Sequence, residues 1–353
     1  MSDGLEGVVV AETVLSRSDP PSGRLWMRGV PVAELVASYG YEGVVALLWE
    51  GFAGAGLTRA GVQAELGAAR AAAFGRLATW LPAVAAADIE VAVRQCLAGL
   101  PDDSAPGAIA GTLAVAVPAL IRAARGDAPV APDPALTTAA DVLRMLRGTM
   151  PDRAHVELFD TYITAMADSG MSASAFAGRV IASTRASLPS AVLGAWCAFT
   201  GPLHGGAPGP TLALLDELEA ADDMDAAIER KLKAGERLMG FGHRVFRGND
   251  PRAAAMRAAL ERSGPAAARL GLVTRVEERI AAVLERVKPG RRLPANVETM
   301  AALLLDSVGF HRDHFTAVFA ISRCASWIAH ALEQQQSGRM FRPASRYIGP
   351  PVR

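Results

Sequence analysis

Lysine is almost missing from this 353-residue chain: Lys231, Lys233 and Lys288 are the only ones. Schiff-base and pyridoxal catalysis need an active lysine, and only Lys288 adjoins a glycine–proline turn, without an obvious desolvating neighbourhood. Cysteine is scarce too. Cys96, Cys197 and Cys324 are scattered with no CxxC pair, which argues against a disulfide framework or a structural zinc site. Aromatic residues make up 6%. The apolar content is mostly alanine, leucine and valine, which favours helix over sheet. Charge of either sign forms no long block, and 36 basic residues balance 36 acidic ones. Nothing therefore suggests a nucleic-acid surface or a polybasic membrane anchor. The first ten residues lack the basic-then-apolar order of a signal peptide. The most apolar stretch, 105–121, contains Gly107, Gly111 and Pro118 and is short for a membrane span, so it reads as a buried helix. A cytoplasmic location is expected.

What is present is 51% hydrophobic residues, ample for a large core in one big domain or two. Residues 5–30 read as short extended pieces around a turn at Ser18-Asp-Pro-Pro-Ser-Gly23. From Val32 onward the spacing turns helical. Helices are expected over 58–80, 86–99, 105–126 and 135–148, with breaks at Pro101–Ser104 and Ala128–Pro134. A second block, 153–200, holds helices near 172–187 and 190–200. Further helices follow near 209–220, 223–237, 251–263, 274–287 and 296–307. The last, Phe315–Gln335, is apolar on most faces and should be deeply buried. No alternating strand pattern occurs beyond the N-terminus, so the fold class is all-α.

Three stretches carry the chemistry. In Gly201-Pro-Leu-His-Gly-Gly-Ala207, glycines let backbone approach a ligand closely. A helix starts just after, so its positive end faces His204, which suits a neutral histidine that donates to a carbonyl. In Gly240-Phe-Gly-His-Arg-Val-Phe-Arg-Gly-Asn-Asp-Pro-Arg252, His243 sits among Arg244, Arg247 and Arg252. That cationic setting suits a carboxylate or a phosphate, and Asp250-Pro251 reads as a helix N-cap and first turn. In Asn296-Val-Glu298 the carboxylate lies at a helix start, where a cap is the ordinary role; as a general base it needs a raised pKa in a dry site. Two histidines and one carboxylate of this kind can enolise one carbonyl compound and protonate a second. Arg323 lies on an apolar helix, and a buried arginine demands an anion. Arg342 is another arginine, in an apolar tail. His311 and His314 have HxxH spacing without a third ligand nearby, so no metal site is expected. His330 and Glu333 are spaced to pair on one helix face, and His155 has no evident partner.

Taken together, these segments resemble the citrate synthase family. The resemblance runs through Gly4-Leu-Glu-Gly-Val-Val9, Gly23-Arg-Leu-Trp-Met-Arg-Gly29, Ala177–Thr184, Gly201–Ala207, Met239–Val245 with Asp250-Pro-Arg252, Asn296-Val297, and Arg342-Pro343 with Tyr347 and Gly349. It spans nearly the whole chain and keeps the family's order.

The resemblance implies a large helical domain, 1–208 plus 309–353, with a smaller helical domain, 209–308, inserted in it. It implies a homodimer in which Arg342 enters the partner's active site. It also implies a Claisen-type condensation of an acyl-CoA, by default acetyl-CoA, with a 2-oxo acid, by default oxaloacetate. CoA is then released, with no permanent cofactor. By position, His204 would stabilise the enol of the thioester, Glu298 would take the α-proton, and His243 would polarise the oxo group. Arg252, Arg323 and Arg342 would hold the oxo-acid carboxylates, and Leu238, Gly240, Gly242 and Arg247 would approach CoA.

Some positions depart from the family pattern. Glu298 stands where an aspartate is usual, so its carboxylate must be re-aimed. Ser169 replaces a histidine that helps hold oxaloacetate, and Ser172 replaces an asparagine three residues on. Pro208-Gly-Pro210 follows the His204 turn in place of the usual residues. Losing a donor to a carboxylate costs about 1.5–3 kcal/mol, enough to favour another oxo acid. Two further alternatives are a non-catalytic CoA- or oxo-acid-binding homologue and, less compatible with the scattered ligands, a metal hydrolase.

Overall fold

The computed structural model describes residues 3–5, 7–19, 22–205, 208–242 and 250–350. Near the N-terminus, β1 (Ser16–Asp19) and β2 (Arg24–Met27) pair antiparallel, with Ser16 opposite Met27 and Asp19 opposite Arg24. A short β3 (Val30–Pro31) adds to the other edge of β2. Leu25 and Met27 point inward while Arg24 stays exposed, the alternation of a half-buried strand.

The remaining elements are helical. α1 (Val32–Glu34) passes through a π-helical turn, Leu35–Tyr39, into α2 (Gly40–Trp49). Then come α3 (Arg59–Val84), α4 (Ile89–Ala98), α5 (Pro106–Ala124) and α6 (Thr138–Arg147). Thr58, Asp88 and Thr137 each accept a backbone N–H at the start of α3, α4 and α6, which satisfies donors that a helix start leaves orphaned. α7 (Arg153–Ala165), α8 (Ala173–Ser183) and α9 (Leu188–Phe199) are capped in the same way by Asp152, Ser172 and Ser187. His155 finds its partner in that first cap: its Nδ1 lies 2.5 Å from Asp152 Oδ2.

The C-terminal part holds α10 (Pro208–Glu219), α11 (Met224–Lys233), α12 (Pro251–Arg262), α13 (Gly264–Val287), α14 (Val297–Ser307) and α15 (Phe315–Ser337). α13 begins ten residues before the expected 274. A proline sits in its first turn, where no intrahelical bond is lost, so the Gly264-Pro265 pair opens the helix rather than breaking it.

α15 is the axis of the core. It is buried from Phe315 to Ala331, and α2, α5, α7, α8 and α9 pack around it. Polar groups of neighbouring helices tie onto its carbonyls: Tyr41 Oη donates to Ile321 O at 2.8 Å and Trp49 Nε1 to Ala325 O at 3.0 Å. α5 and the segment 312–337 are long and apolar enough to cross a membrane, yet both are mostly buried inside the protein.

A buried polar chain joins α8 to α15. Arg179 Nε donates to His330 Nδ1 at 2.9 Å, its Nη1 donates to Gln334 Oε1 at 3.0 Å, and Glu333 pairs with its guanidinium. His330 and Glu333 therefore meet at Arg179 instead of pairing with each other. His330 Nε2 faces Asp168 Oδ1 at 3.3 Å, and Ser326 Oγ donates to the same oxygen at 2.5 Å. This chain fixes Asp168, and so its neighbour Ser169, against the core helix.

Candidate active site

His204 lies half-buried in a turn between α9 and α10. The turn is closed by His204 N donating to Gly201 O and Gly205 N donating to Phe199 O, both at 2.9 Å. The imidazole stands edge-on to Phe199, with ring centroids 5.1 Å apart. Its Nε2 receives the backbone N–H of Ser174 at 3.3 Å and lies 2.9 Å from Ser174 Oγ. A backbone N–H can only donate, so Nε2 is an acceptor and the ring proton sits on Nδ1. Ser174 Oγ in turn accepts from Trp327 Nε1 at 3.1 Å. Burial, then the nearby Arg323 charge, lowers the His204 pKa to about 4. The ring is neutral at physiological pH, and Nδ1–H is a donor with no partner among the described residues.

Glu298 sits in the first turn of α14. The cap there is Asn296, whose Oδ1 accepts the Glu298 N–H at 2.9 Å, so the Glu298 carboxylate is not spent on capping. Its Oε2 is buried with no hydrogen-bond partner among the described residues. Burial raises its pKa to about 7, against the opposing pull of Arg252 and Arg323. A half-buried carboxylate at the edge of a cavity, titrating near neutrality, is suited to proton abstraction.

Arg323 is 2% exposed, and among the described residues it forms no ion pair. It donates to Ser169 Oγ and lies over the Phe319 ring, 5.0 Å from the centroid. Burial first of all lowers its pKa to about 10, which leaves it a cation at any working pH. Arg252 is also buried and grips Asp250 through Nε at 3.1 Å and Nη2 at 2.7 Å. Asp250 is thus both the expected cap of α12, receiving Arg252 N at 2.9 Å, and the partner of that arginine. Arg323 is the hub: His204, Glu298 and Arg252 all lie within range of its charge.

Leu238, Gly240 and Gly242 line a cavity of about 650 Å³ that Glu298 also borders. This segment is stapled to the start of α14. Gly242 N donates to Pro294 O at 2.7 Å, Asn296 N to Gly240 O at 2.8 Å and Asn296 Nδ2 to Gly242 O at 2.6 Å. Gly240 has φ +82°, and a Cβ there would lie 2.2 Å from Thr211 Cγ2 and 2.4 Å from Thr299 Oγ1. Only glycine fits both the conformation and the space. Three cations that the sequence reading did not assign to the site, Arg237, Lys288 and Arg291, border the same cavity.

The structure thus brings together His204, Glu298, Arg252, Arg323 and Ser169, with Leu238, Gly240 and Gly242 alongside. His243 and Arg247 lie outside the described residues. Arg342 is exposed on the C-terminal tail, just past Phe341, which packs against Phe176 of α8 with centroids 5.6 Å apart. Ser174 was missed by sequence reasoning. Its signal was available only as a serine two residues after the Ser172 cap, with nothing to link it to a histidine 30 positions away.

Comparison with known proteins adds to this geometry. The family model for the citrate synthase C-terminal domain matches residues 4–344. The putative citrate synthase 2 of Mycobacterium tuberculosis is 37% identical over 98% of this chain and 92% of its own length. The 2-methylcitrate synthase of the same species is 33% identical over 98% of this chain and 90% of its own. The crystal structure of citrate synthase from Thermotoga maritima superposes with a TM-score of 0.85 at 28% identity, covering 100% of this chain and 97% of that one.

Proposed function

Because the chain belongs to the citrate synthase family, we propose a division of labour among its residues for the family's condensing reaction. The protein is an acyltransferase that joins an acyl-CoA to a 2-oxo acid and releases CoA, with no permanent cofactor. Acetyl-CoA and oxaloacetate are the leading pair. His204 Nδ1–H donates to the thioester oxygen and stabilises the enol as charge develops there. Glu298 removes the α-proton. His243 polarises the oxo group and protonates the new alkoxide. Arg323 and Arg252 hold the carboxylates of the oxo acid, with Ser169 at the edge of that pocket. The observation that carries this reading is a neutral histidine donor and a carboxylate titrating near 7, both within range of one buried arginine that forms no ion pair among the described residues.

The cavity beside Leu238, Gly240 and Gly242 takes the CoA chain, with Arg247 as a further contact. Arg237, Lys288 and Arg291 on its border suit phosphate. Helices α10–α14 pack on one another, with α12 and α14 also resting on α7. This supports treating 209–308 as the smaller domain and 1–208 plus 309–353 as the larger. The exposed Arg342, turned to solvent in the single chain, supports a homodimer in which it completes the partner's oxo-acid site. The deep burial of both long apolar helices supports a cytoplasmic enzyme.

Thiol release from acetyl-CoA, with and without oxaloacetate, tests the reading on the purified protein. Release that depends on oxaloacetate is expected. No release with any acyl-CoA and oxo-acid pair would sink it.

A second reading keeps the scaffold and changes the oxo acid or acyl chain. Ser169 favours it, because its oxygen is already engaged by Arg323 and leaves one hydroxyl proton for a ligand. On this reading Ser169→His raises oxaloacetate turnover, and wild type prefers another 2-oxo acid or propionyl-CoA. A wild type already efficient with oxaloacetate, and not improved by the substitution, counts against it.

A further inference from the structure

Tyr162 is a buried phenol with no part in the chemistry above. It sits on α7, fully enclosed. Its ring stacks on Phe159 with centroids 6.2 Å apart and tilts against Phe319, also at 6.2 Å. Arg323 lies over that same Phe319 ring, so Tyr162 and Arg323 pack on one aromatic side chain. The Tyr162 hydroxyl is buried and has no hydrogen-bond partner among the described residues. Folded proteins rarely keep such a group without a reason.

Two neighbours share this condition. Glu298 Oε2 and Arg323 Nε are likewise buried and unpartnered. The phenol lies within electrostatic range of both the Glu298 carboxylate and the Arg323 guanidinium. The three atoms, all without a partner among the described residues, belong to side chains within electrostatic range of one another, an arrangement that suits a polar ligand.

The donor and acceptor inventory defines that ligand. Arg323 can only donate. Ser169 Oγ accepts from Arg323, so its remaining capacity toward a ligand includes its own proton. Burial and the Glu298 charge hold the Tyr162 phenol well above its ordinary pKa, so it is a neutral O–H donor. Apart from Glu298 these groups are donors, and they match a compound with clustered oxygen acceptors.

We propose that Tyr162 is a substrate-binding residue whose hydroxyl donates a hydrogen bond to the oxo-acid carboxylate held by Arg323. This rests on the functional reading above and deepens it by adding a donor beside Ser169. The stacked ring cannot follow a ligand, so the phenol also restricts which oxo acids reach both it and Arg323.

Tyr162→Phe tests the assignment, because it keeps the ring and removes only the oxygen. The oxo-acid KM, and the Kd for oxaloacetate by calorimetry, should rise about tenfold or more. The acyl-CoA KM should stay unchanged, and the thermal midpoint should hold or rise, since an unbonded buried hydroxyl is gone. Unchanged oxo-acid KM and Kd would overturn the assignment. A wild type that binds and turns over no 2-oxo acid removes the functional reading and this assignment with it. A wild type that does, with Tyr162→Phe identical to it, removes the assignment alone.

Discussion

Ser174 sets the tautomer of His204. Its backbone N–H and its hydroxyl both converge on His204 Nε2, at 3.3 and 2.9 Å, which leaves Nδ1 as the protonated nitrogen. The Trp327 indole N–H, 3.1 Å from Ser174 Oγ, orients the serine in turn. The donor that faces the substrate is thus aimed by a helix N-terminus and by the core helix α15.

Ser174→Ala removes the hydroxyl but keeps the backbone N–H. The Nδ1–H tautomer should survive with a looser ring. We expect kcat to fall about tenfold with little change in either KM. Trp327 is left with an unpaired buried donor, so stability should drop by about 1–2 kcal/mol. Steady-state kinetics and a denaturant titration measure both. An unchanged kcat would show that the serine only packs.

Glu298 gives the pH profile its shape. With its pKa raised to about 7, kcat/KM should climb as the carboxylate ionises near neutrality. His204, lowered to about 4, should add no further limb between pH 5 and 9. Linkage gives a second sign. Between the unfolded carboxylate pKa and about 7, the folded state holds a proton that the unfolded state has lost, so Glu298 makes stability fall as pH rises. Glu298→Gln should therefore be nearly inactive yet more stable than wild type by about 1–3 kcal/mol at pH 8. At pH 4.5 the difference should shrink to about 0.4 kcal/mol. Chemical denaturation at the two pH values checks the difference.

Arg323 separates binding from folding. It is buried without an ion pair among the described residues, so Arg323→Met orphans no carboxylate partner and relieves a desolvated charge. Stability should hold or rise, while the oxo-acid KM climbs at least a hundredfold. A variant that unfolds, with substrate affinity intact in the folded fraction, would make Arg323 a structural residue.

Gly240 is the strictest backbone position of the site. Gly240→Ala forces a Cβ into Thr211 and Thr299 at 2.2 and 2.4 Å, at φ +82°. It should cost about 1–3 kcal/mol of stability and weaken acyl-CoA binding, because the stapled segment lines that cavity. Differential scanning calorimetry and the acyl-CoA KM report the two effects.

Local chemistry made much of this protein legible. Asp250 before a proline and Asn296 two residues before Glu298 announced helix starts, and the structure has caps at both. The apolar run after Phe315 announced the core helix. The glycine-rich turn around His204 announced a close backbone approach. These signals act over a few residues, so the chain carries them openly. What Glu298 and His204 can do chemically depended on contacts the sequence does not display. A carboxylate beside a helix start reads as a cap until Asn296 is seen to cap instead, which leaves Glu298 Oε2 buried and without a hydrogen-bond partner among the described residues. His204 reads as a neutral donor, but which nitrogen carries its proton is fixed only by Ser174, and the Tyr162 hydroxyl is seen only in the fold to lack a partner among the described residues. Propensity and capping are properties of neighbours along the chain, and the sequence by itself determined them. Proton positions and pKa values follow from burial and from groups brought together across the fold, and only the tertiary structure decided those.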